Sequence, residues 1–252
     1  KTRAENLCIV GGGGLKSGAN KVIQDGAGCK KVFIFPACSD EGIPFGLALW
    51  GYYNAPEFKA LPKRRIRLPH AYTGKTYADR EGEALLRRHA VSYVPMSTTK
   101  VARLIAAGKI VGWVQGGSEY GPRALGHRSI LADSRRKEMK DILNKRVKHR
   151  ESFRPFAPAV LREHAEEYFD LATDSPYMLL VARVKKPKVI PAITHVDGTA
   201  RVQTVTKEDN SVFYDLIVEF HRLTGVPVLL NTSFNDAGEP IVETPRDALI
   251  CF

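Results

Sequence analysis

Guanidinium and ammonium groups dominate residues 119–154, EYGPRALGHRSILADSRRKEMKDILNKRVKHRESFR. Between Gly121 and Arg154 stand eleven Lys or Arg against four acids, so this stretch carries seven of the chain's eleven net positive charges. Arg grips phosphate or carboxylate through a planar two-pronged fork, and Lys acts as a point charge. Packed this densely, they require an anionic partner: a nucleotide, a nucleic acid or, in the plainest reading, solvent counter-ions. Gly121-Pro122-Arg123 and Gly126-His127-Arg128 set two arginines on one turn, suited to clamping phosphate oxygens. Lys148, Arg150 and Arg154 close the same region. On a helix, Arg146 and Arg150 would be i,i+4 neighbours and repel, a cost that an anion between them offsets. His127 reads as a structural histidine, and the Lys63-Arg64-Arg65 and Lys185-Lys186 runs read as solvated.

Three further constellations carry polar chemistry. Asn231-Thr-Ser-Phe-Asn235 places two amides and two hydroxyls at the C-terminal end of an apolar run, where α/β sheets hold ligands. Ser233 has no evident His-Asp partner, so it does not read as a hydrolase nucleophile. His195-Val-Asp-Gly-Thr-Ala-Arg201 is a polar loop in which alternation sets His195, Asp197 and Thr199 on one side and Arg201 offers an anion contact. The loop lacks a third zinc ligand at suitable spacing. Gly11–Gly14 falls between a strand and a helix, where it serves either a phosphate or a ligand-free tight turn. Asp40, beside Gly42, reads as a helix cap or, with help from elsewhere, as a metal or ribose ligand.

The elements that must position these groups follow from periodicity. Residues 6–10 and 31–35 are apolar strands, with a helix over 17–24 between them and another over 45–53. Residues 54–80 are irregular, 81–90 form a short helix, and Pro95 with Ser97-Thr-Thr99 marks a boundary and an N-cap. Val101, Leu104 and Ile105 form a helical stripe ended by Gly108. Strands follow at 109–115, 156–161, 178–184, 202–205 and 226–230. Met139, Ile142, Leu143 and Val147 line one helix, and Phe213, Leu216, Ile217 and Phe220 line another, capped by Gly225. Strand–turn–helix alternation of this kind predicts an α/β fold.

With 252 residues and 44% hydrophobic content, the chain can bury a core of one or two domains. No apolar run is long enough to cross a bilayer. Cys8, Cys29, Cys38 and Cys251 show no CxxC or zinc spacing and read as reduced core thiols of a cytoplasmic protein. The first and last residues fall against or inside predicted elements, which reads as part of a longer protein.

Taken together, EYGPRALGHRSILAD, NKRVKHRESFRPFAPAVL, THVDGTARVQTV and GVPVLLNTSFNDAGEPIVETP resemble the carbamoyltransferase family that includes nodulation-type and antibiotic-tailoring O-carbamoyltransferases. GGGGLKSGAN and PACSDEGIPFGLAL extend the resemblance towards the N-terminus, with Gly13 and Lys16 departing from the family's usual residues. The resemblance implies residues 1–92 as the C-terminal part of a Kae1-like, actin-like ATPase subdomain with its linker, and 93–252 as a YrdC-like α/β domain. It implies an activity that joins carbamoyl phosphate to ATP, with Mg2+, giving carbamoyl adenylate and pyrophosphate. The carbamoyl group then passes, at an iron-bearing Kae1-like site, to a hydroxyl of a small acceptor. Arg123, Lys148, Arg154 and Arg201 are the implied catalytic cations. Gly11, Gly12, Gly13, Asn20, Arg128, His195, Asp197, Asn231, Ser233 and Asn235 are the implied substrate and nucleotide ligands. Asp40 is the implied Fe2+ ligand, whose histidine partners lie in an N-terminal half not present in this sequence.

A competing reading is a factor for tRNA threonylcarbamoylation or RNA binding, since Kae1-like and YrdC-like proteins serve that chemistry. Both modules in one chain, and no aromatics interleaved with the basic cluster, weigh against nucleic acid. A third reading is a non-catalytic scaffold. A homodimer is compatible with all three, and a membrane partner is not expected.

Overall fold

The computed structural model describes residues 4–64 and 68–252. Near the N-terminus, the apolar runs form β1 (Asn6–Ile9) and β2 (Lys31–Ile34), paired in parallel from Asn6–Lys31 to Ile9–Ile34. Parallel neighbours need a crossover, here a 3-10 turn at Gly12–Leu15 and α1 (Ser17–Gly26). A second 3-10 turn, Asp40–Gly42, leads into α2 (Ile43–Asn54), which opens with Pro44 and has no charged residue and no buried one. α3 (Asp79–Arg88) carries Asp79 and Glu81 in its first turn and Arg87 and Arg88 in its last, matching the helix dipole.

The remainder builds on one seven-stranded sheet. In chain order come α4 (Thr98–Ala106), β3 (Val111–Val114), β4 (Arg128–Asp133) and α5 (Met139–Arg146). Next are β5 (Ala157–Leu161), α6 (Ala165–Tyr168), β6 (Phe169–Asp170), β7 (Leu180–Val184) and β8 (Thr199–Val205). α7 (Ser211–Thr224), β9 (Val228–Ser233) and α8 (Pro245–Cys251) complete it. The order across the sheet is β3-β4-β9-β5-β8-β7-β6, and β5–β8 is its one parallel pair among the described residues. The fold is therefore mixed α/β with a mostly antiparallel sheet, where strand–helix alternation alone had suggested a plain α/β pattern.

Side-chain alternation along the central strands feeds two cores. Val228 and Leu230 of β9, with Ile130 and Ala132 of β4, join Met139 and Leu143 of α5 on one face. Leu229 and Leu131 join Val101 and Ile105 of α4 and Phe213, Leu216, Ile217 and Phe220 of α7 on the other. Ser97 caps α4 by accepting from Lys100 N (3.3 Å), Asn210 caps α7 by accepting from Phe213 N (3.1 Å), and Gly225 ends α7 at φ 72°. These helices match the sequence reading. β4 does not appear in it: the stretch reads as a basic turn, yet all six of its residues are buried.

The small sheet docks on the large one. Ile34 and Cys38 pack with Leu179 and Leu180. At the joint lies the fully buried Asn20, whose Nδ2 donates to the carbonyls of Gly14 (2.6 Å) and Leu179 (2.8 Å). Of the four free thiols only Cys38 is a core residue; Cys8 is exposed, and Cys29 and Cys251 are half-buried. No helix among the described residues is long and apolar enough to cross a membrane.

A two-stranded sheet is not stable alone, so the joint is its anchor. Asn20→Ala removes two donated hydrogen bonds and leaves the carbonyls of Gly14 and Leu179 short of a partner, a loss of about 1–3 kcal/mol. Amide exchange should accelerate across Asn6–Ile34 while β5 and β9 stay protected; equal acceleration in both sheets would refute the joint as a local anchor.

Candidate functional site

The turn 117–128, the centre of the sequence reading, is held from every side. Glu119, half-buried, accepts from Leu125 N (2.6 Å) and His127 N (2.9 Å). Burial pushes its carboxyl pKa up, against the pull of those bonds. Above them, the Gly126 carbonyl accepts from Trp113 Nε1 and Gln115 Nε2 (both 2.8 Å), and the Leu125 carbonyl from Tyr72 Oη (3.0 Å) and Gln203 Nε2 (2.7 Å). Tyr72 stacks on His127 with ring centroids 3.8 Å apart. Gly121 (φ 123°) and Gly126 (φ 107°) are required here: a Cβ would meet the Pro36 carbonyl at 2.7 Å and the Phe213 ring at 2.4 Å.

This scaffold presents Arg123 to a cavity of about 120 Å3, shared with Arg150 and Arg201 and floored by Asn231, Thr232 and Ser233 of β9. No acidic residue lines it. Arg201 has its pKa lowered by burial and then by Arg123 and Arg150, which places the three guanidiniums in one electrostatic cluster. Buried Nε atoms of Arg123 and Arg201 have no partner. Arg150 donates from Nε to Asn144 Oδ1 (2.8 Å), and its guanidinium lies 4.8 Å from the centre of the Phe156 ring. Larger clefts exist, such as one of about 430 Å3 among Leu85, Leu86, Phe234 and Leu249, but the polar groups do not converge there.

Lys148 works from behind this floor. Its Nζ donates to Ser233 O (2.5 Å), Asn235 O (2.8 Å) and Asn235 Oδ1 (2.7 Å), and Ser233 Oγ donates to the same Oδ1 (2.6 Å). The ammonium thus fastens the loop that carries Ser233. Burial first, then Arg150, pulls its pKa down to about 8.

Other residues expected at the site do not line this cavity. Arg154 is half-exposed and pairs with Glu151 (2.8 Å). Arg128 is fully buried and donates to the carbonyls of Glu243, Gln115 and Gly116, an internal clasp rather than a ligand contact. His195 and Asp197 form a turn through Thr199, whose Oγ1 lies 3.2 Å from His195 Nδ1 and donates to Asp197 Oδ1 (2.7 Å). Gly11, Gly12 and Gly13 are exposed in their 3-10 turn, and the buried glycine is Gly14, packed on Cys38. Asn20 holds the inter-sheet joint. Asp40 is exposed, and among the described residues no three His, Cys, Asp or Glu side chains could share a metal. Of the iron ligands that the resemblance implies, this sequence holds Asp40 alone. Lys63 and Lys185 donate to the carbonyls of Phe58 (2.9 Å) and Glu166 (2.8 Å), beyond the solvation expected of them; Arg65 lies outside the described residues.

Arg150 is the cavity residue that the sequence reading set aside for Arg154. α5 stops at Arg146 and His149 takes φ 42°, so Arg150 is not a helical neighbour of Arg146. The alternate spacing of Lys148 and Arg150 was the available signal.

The family described as "Carbamoyltransferase C-terminus" matches residues 102–252. Nodulation protein NolO of Bradyrhizobium diazoefficiens is 41% identical, covering 100% of this chain and 47% of its own. Nodulation protein U of Sinorhizobium fredii is 38% identical over 93% of this chain and 40% of its own, and an uncharacterized Synechocystis protein is 40% identical over 98% and 45%. The chain thus spans less than half the length of these relatives. Full-length HypF, solved in a phosphate- and nucleotide-bound form, superposes with a TM-score of 0.44 at 21% identity, over 63% of this chain and 20% of that one.

Because the folded Lys148 pKa lies below its ordinary 10.5, the unfolded chain holds the extra proton between about pH 8 and 10.5. This group's contribution to stability therefore rises with pH across that window and is constant and unfavourable below it. Denaturant titrations from pH 7.5 to 10.5 should show wild type gaining stability relative to Lys148→Met. Parallel curves would mean that the ammonium is not desolvated.

Proposed function

The chain belongs to the carbamoyltransferase family, and from that premise we propose that its cationic cavity takes carbamoyl phosphate and activates the carbamoyl group on ATP. The observation that carries this reading is the convergence of Arg123, Arg150 and Arg201 on about 120 Å3 with no acid in the lining. That volume is less than half of the roughly 300 Å3 at the low end for drug-sized ligands. It suits a phosphorylated one-carbon unit or a single phosphate, with the nucleoside held outside it.

In this scheme, water cleaves carbamoyl phosphate to carbamate and orthophosphate. A carbamate oxygen then attacks the α-phosphorus of ATP, the new O–P bond forms, the bond to the β-phosphate oxygen breaks, and pyrophosphate departs; Mg2+, when bound to the triphosphate, would neutralise part of its charge. Arg123, Arg150 and Arg201 neutralise the anions that meet there and the charge that builds on the leaving group. Ser233, fastened by Lys148, and Asn235 set the floor on which the carbamate oxygen is aimed. Residues 93–252 correspond to the YrdC-like unit of the proposal and 1–92 to the end of a Kae1-like unit. Transfer of the carbamoyl group to a hydroxyl of a small acceptor completes the proposed reaction. Fe2+, implied by the resemblance, finds no ligand set here, and no step of this scheme passes through it.

The test is ATP–pyrophosphate exchange dependent on carbamoyl phosphate. Arg150→Ala should lower the exchange rate by about 10²–10³-fold, the usual loss for one preorganised transition-state contact. Arg154→Ala, outside the cavity, should change it less than about twofold. Equal losses in the two variants, or salt-sensitive RNA binding in place of exchange, would overturn the proposal.

A further inference from the structure

Asn231 sits in the middle of the sheet, opposite Leu131 of β4 and Ala157 of β5, and is 1% exposed. Its amide orientation is forced by a chain of hydrogen bonds. Gln203 Nε2 donates to the Leu125 carbonyl (2.7 Å), so Gln203 must turn its Oε1 towards Asn231. Asn231 Nδ2 donates to that Oε1 (2.8 Å) and, more weakly, to the Ala124 carbonyl (3.4 Å). Donors are thereby used up on one side of the amide, and Oδ1 is left on the other, buried and without a partner. Folded proteins seldom leave a buried acceptor in that state without a use for it.

The neighbourhood supplies the use. Asn231 lines the same cavity as Arg123, Arg150 and Arg201. Gln203 pairs with Ala159, and Arg201 and Ala157 each lie two residues earlier on their strands. Arg201, Ala157 and Asn231 therefore share one face, with the small Ala157 between the guanidinium and the amide. A ligand spanning that gap meets cations on one side and a lone acceptor on the other. It needs anionic oxygens at one end and an N–H donor at the other.

We propose that Asn231 Oδ1 accepts from the carbamoyl –NH2 and is the residue that distinguishes carbamoyl phosphate from acyl phosphates of the same shape, an inference that rests on the carbamoyl phosphate reading above. Acetyl phosphate has a methyl group where carbamoyl phosphate has the amine. Binding it would leave Oδ1 unpaired against an apolar group, and sites built around a polar contact reject such analogues strongly.

The experiment measures equilibrium affinities of the 252-residue chain for carbamoyl phosphate, acetyl phosphate and inorganic phosphate by calorimetry, separately from pyrophosphate exchange. Wild type should favour carbamoyl over acetyl phosphate by about tenfold to a hundredfold. Asn231→Leu should bring that ratio close to one while inorganic phosphate binds as in wild type, which also reports an intact fold. Asn231→Asp retains an acceptor; it should weaken all three anions together and keep the carbamoyl preference, and it carries the test if the leucine variant does not fold. A wild-type ratio near one, a ratio unchanged in Asn231→Leu, or a parallel loss of inorganic phosphate binding in that variant would overturn the proposal. Preference for carbamoyl phosphate without pyrophosphate exchange would retain this subsite and reject the adenylation scheme instead.

Discussion

Repulsion among three guanidiniums is the constraint around which this fold is arranged. Arg123, Arg150 and Arg201 meet at a cavity with no carboxylate in its lining, and burial adds to the cost of their charge. A chain free to relax would swing them apart into solvent. The fold opposes this by rigidity rather than by neutralisation. Glu119 is spent on backbone N–H groups of the turn that carries Arg123, and the carbonyls of that turn are taken by Tyr72, Trp113, Gln115 and Gln203. Arg150 is held by Asn144 and the Phe156 ring, and Arg201 rides on a central strand. Repulsion held in place this way is relieved when an anion arrives, the electrostatic preorganisation that anion chemistry needs.

Sheet topology brings the contributors together from distant parts of the chain. β9 inserts between β4 and β5, and β8 lies on the far side of β5. The turn before β4, the loop between α5 and β5, the first half of β8 and the end of β9 therefore open on one region. Antiparallel pairing sets the end of β9 beside the start of β4, with Ser233 opposite Ser129. The parallel pair β5–β8 sets Arg201 on the same face as Ala157. A one-residue slip of β9 would turn Asn231 and Ser233 to the other core. The register is secured by the apolar residues before them, Val228 and Leu230 on one side and Leu229 on the other.

Local signals made much of this legible and long-range ones hid the rest. α7 could be read because Phe213, Leu216, Ile217 and Phe220 recur at helical spacing and Gly225 stops the helix. Arg123 and Arg201 could be read because each stands in a short motif of polar and glycine residues. β4 could not: its first residue, Arg128, looks like a surface ligand. Its guanidinium donates to carbonyls of residues 115, 116 and 243, which tertiary folding alone collects. Asn20 was expected at a nucleotide and instead joins the sheets, because its partner Leu179 is 159 residues away. Asp40 supplies only its own part of the expected metal site, because the histidines that the resemblance pairs with it are expected outside this sequence.

Lys148 and Arg150 show how two cations separated by one residue acquire different work. An ammonium has three donors radiating from one atom, and at Lys148 its bonds go to oxygens of Ser233 and Asn235. None is directed to the cavity, so its effect on a ligand passes through the loop it fastens and through its charge. A guanidinium has five donors spread over a plane. Arg150 spends Nε on Asn144, and its plane rests on Phe156. Nη2 reaches the Pro155 carbonyl at 3.5 Å, and the side chain lines the cavity. Exchanging the two side chains would fail in both directions. Arginine in the oxygen cage cannot converge on three acceptors around one atom, and lysine over Phe156 cannot present a fork to an oxyanion. The left-handed His149 stands between them at φ 42°, with the first cation bonded to the end of β9 and the second lining the cavity. The order Lys-His-Arg is therefore a geometric requirement of the site and not only a supply of charge.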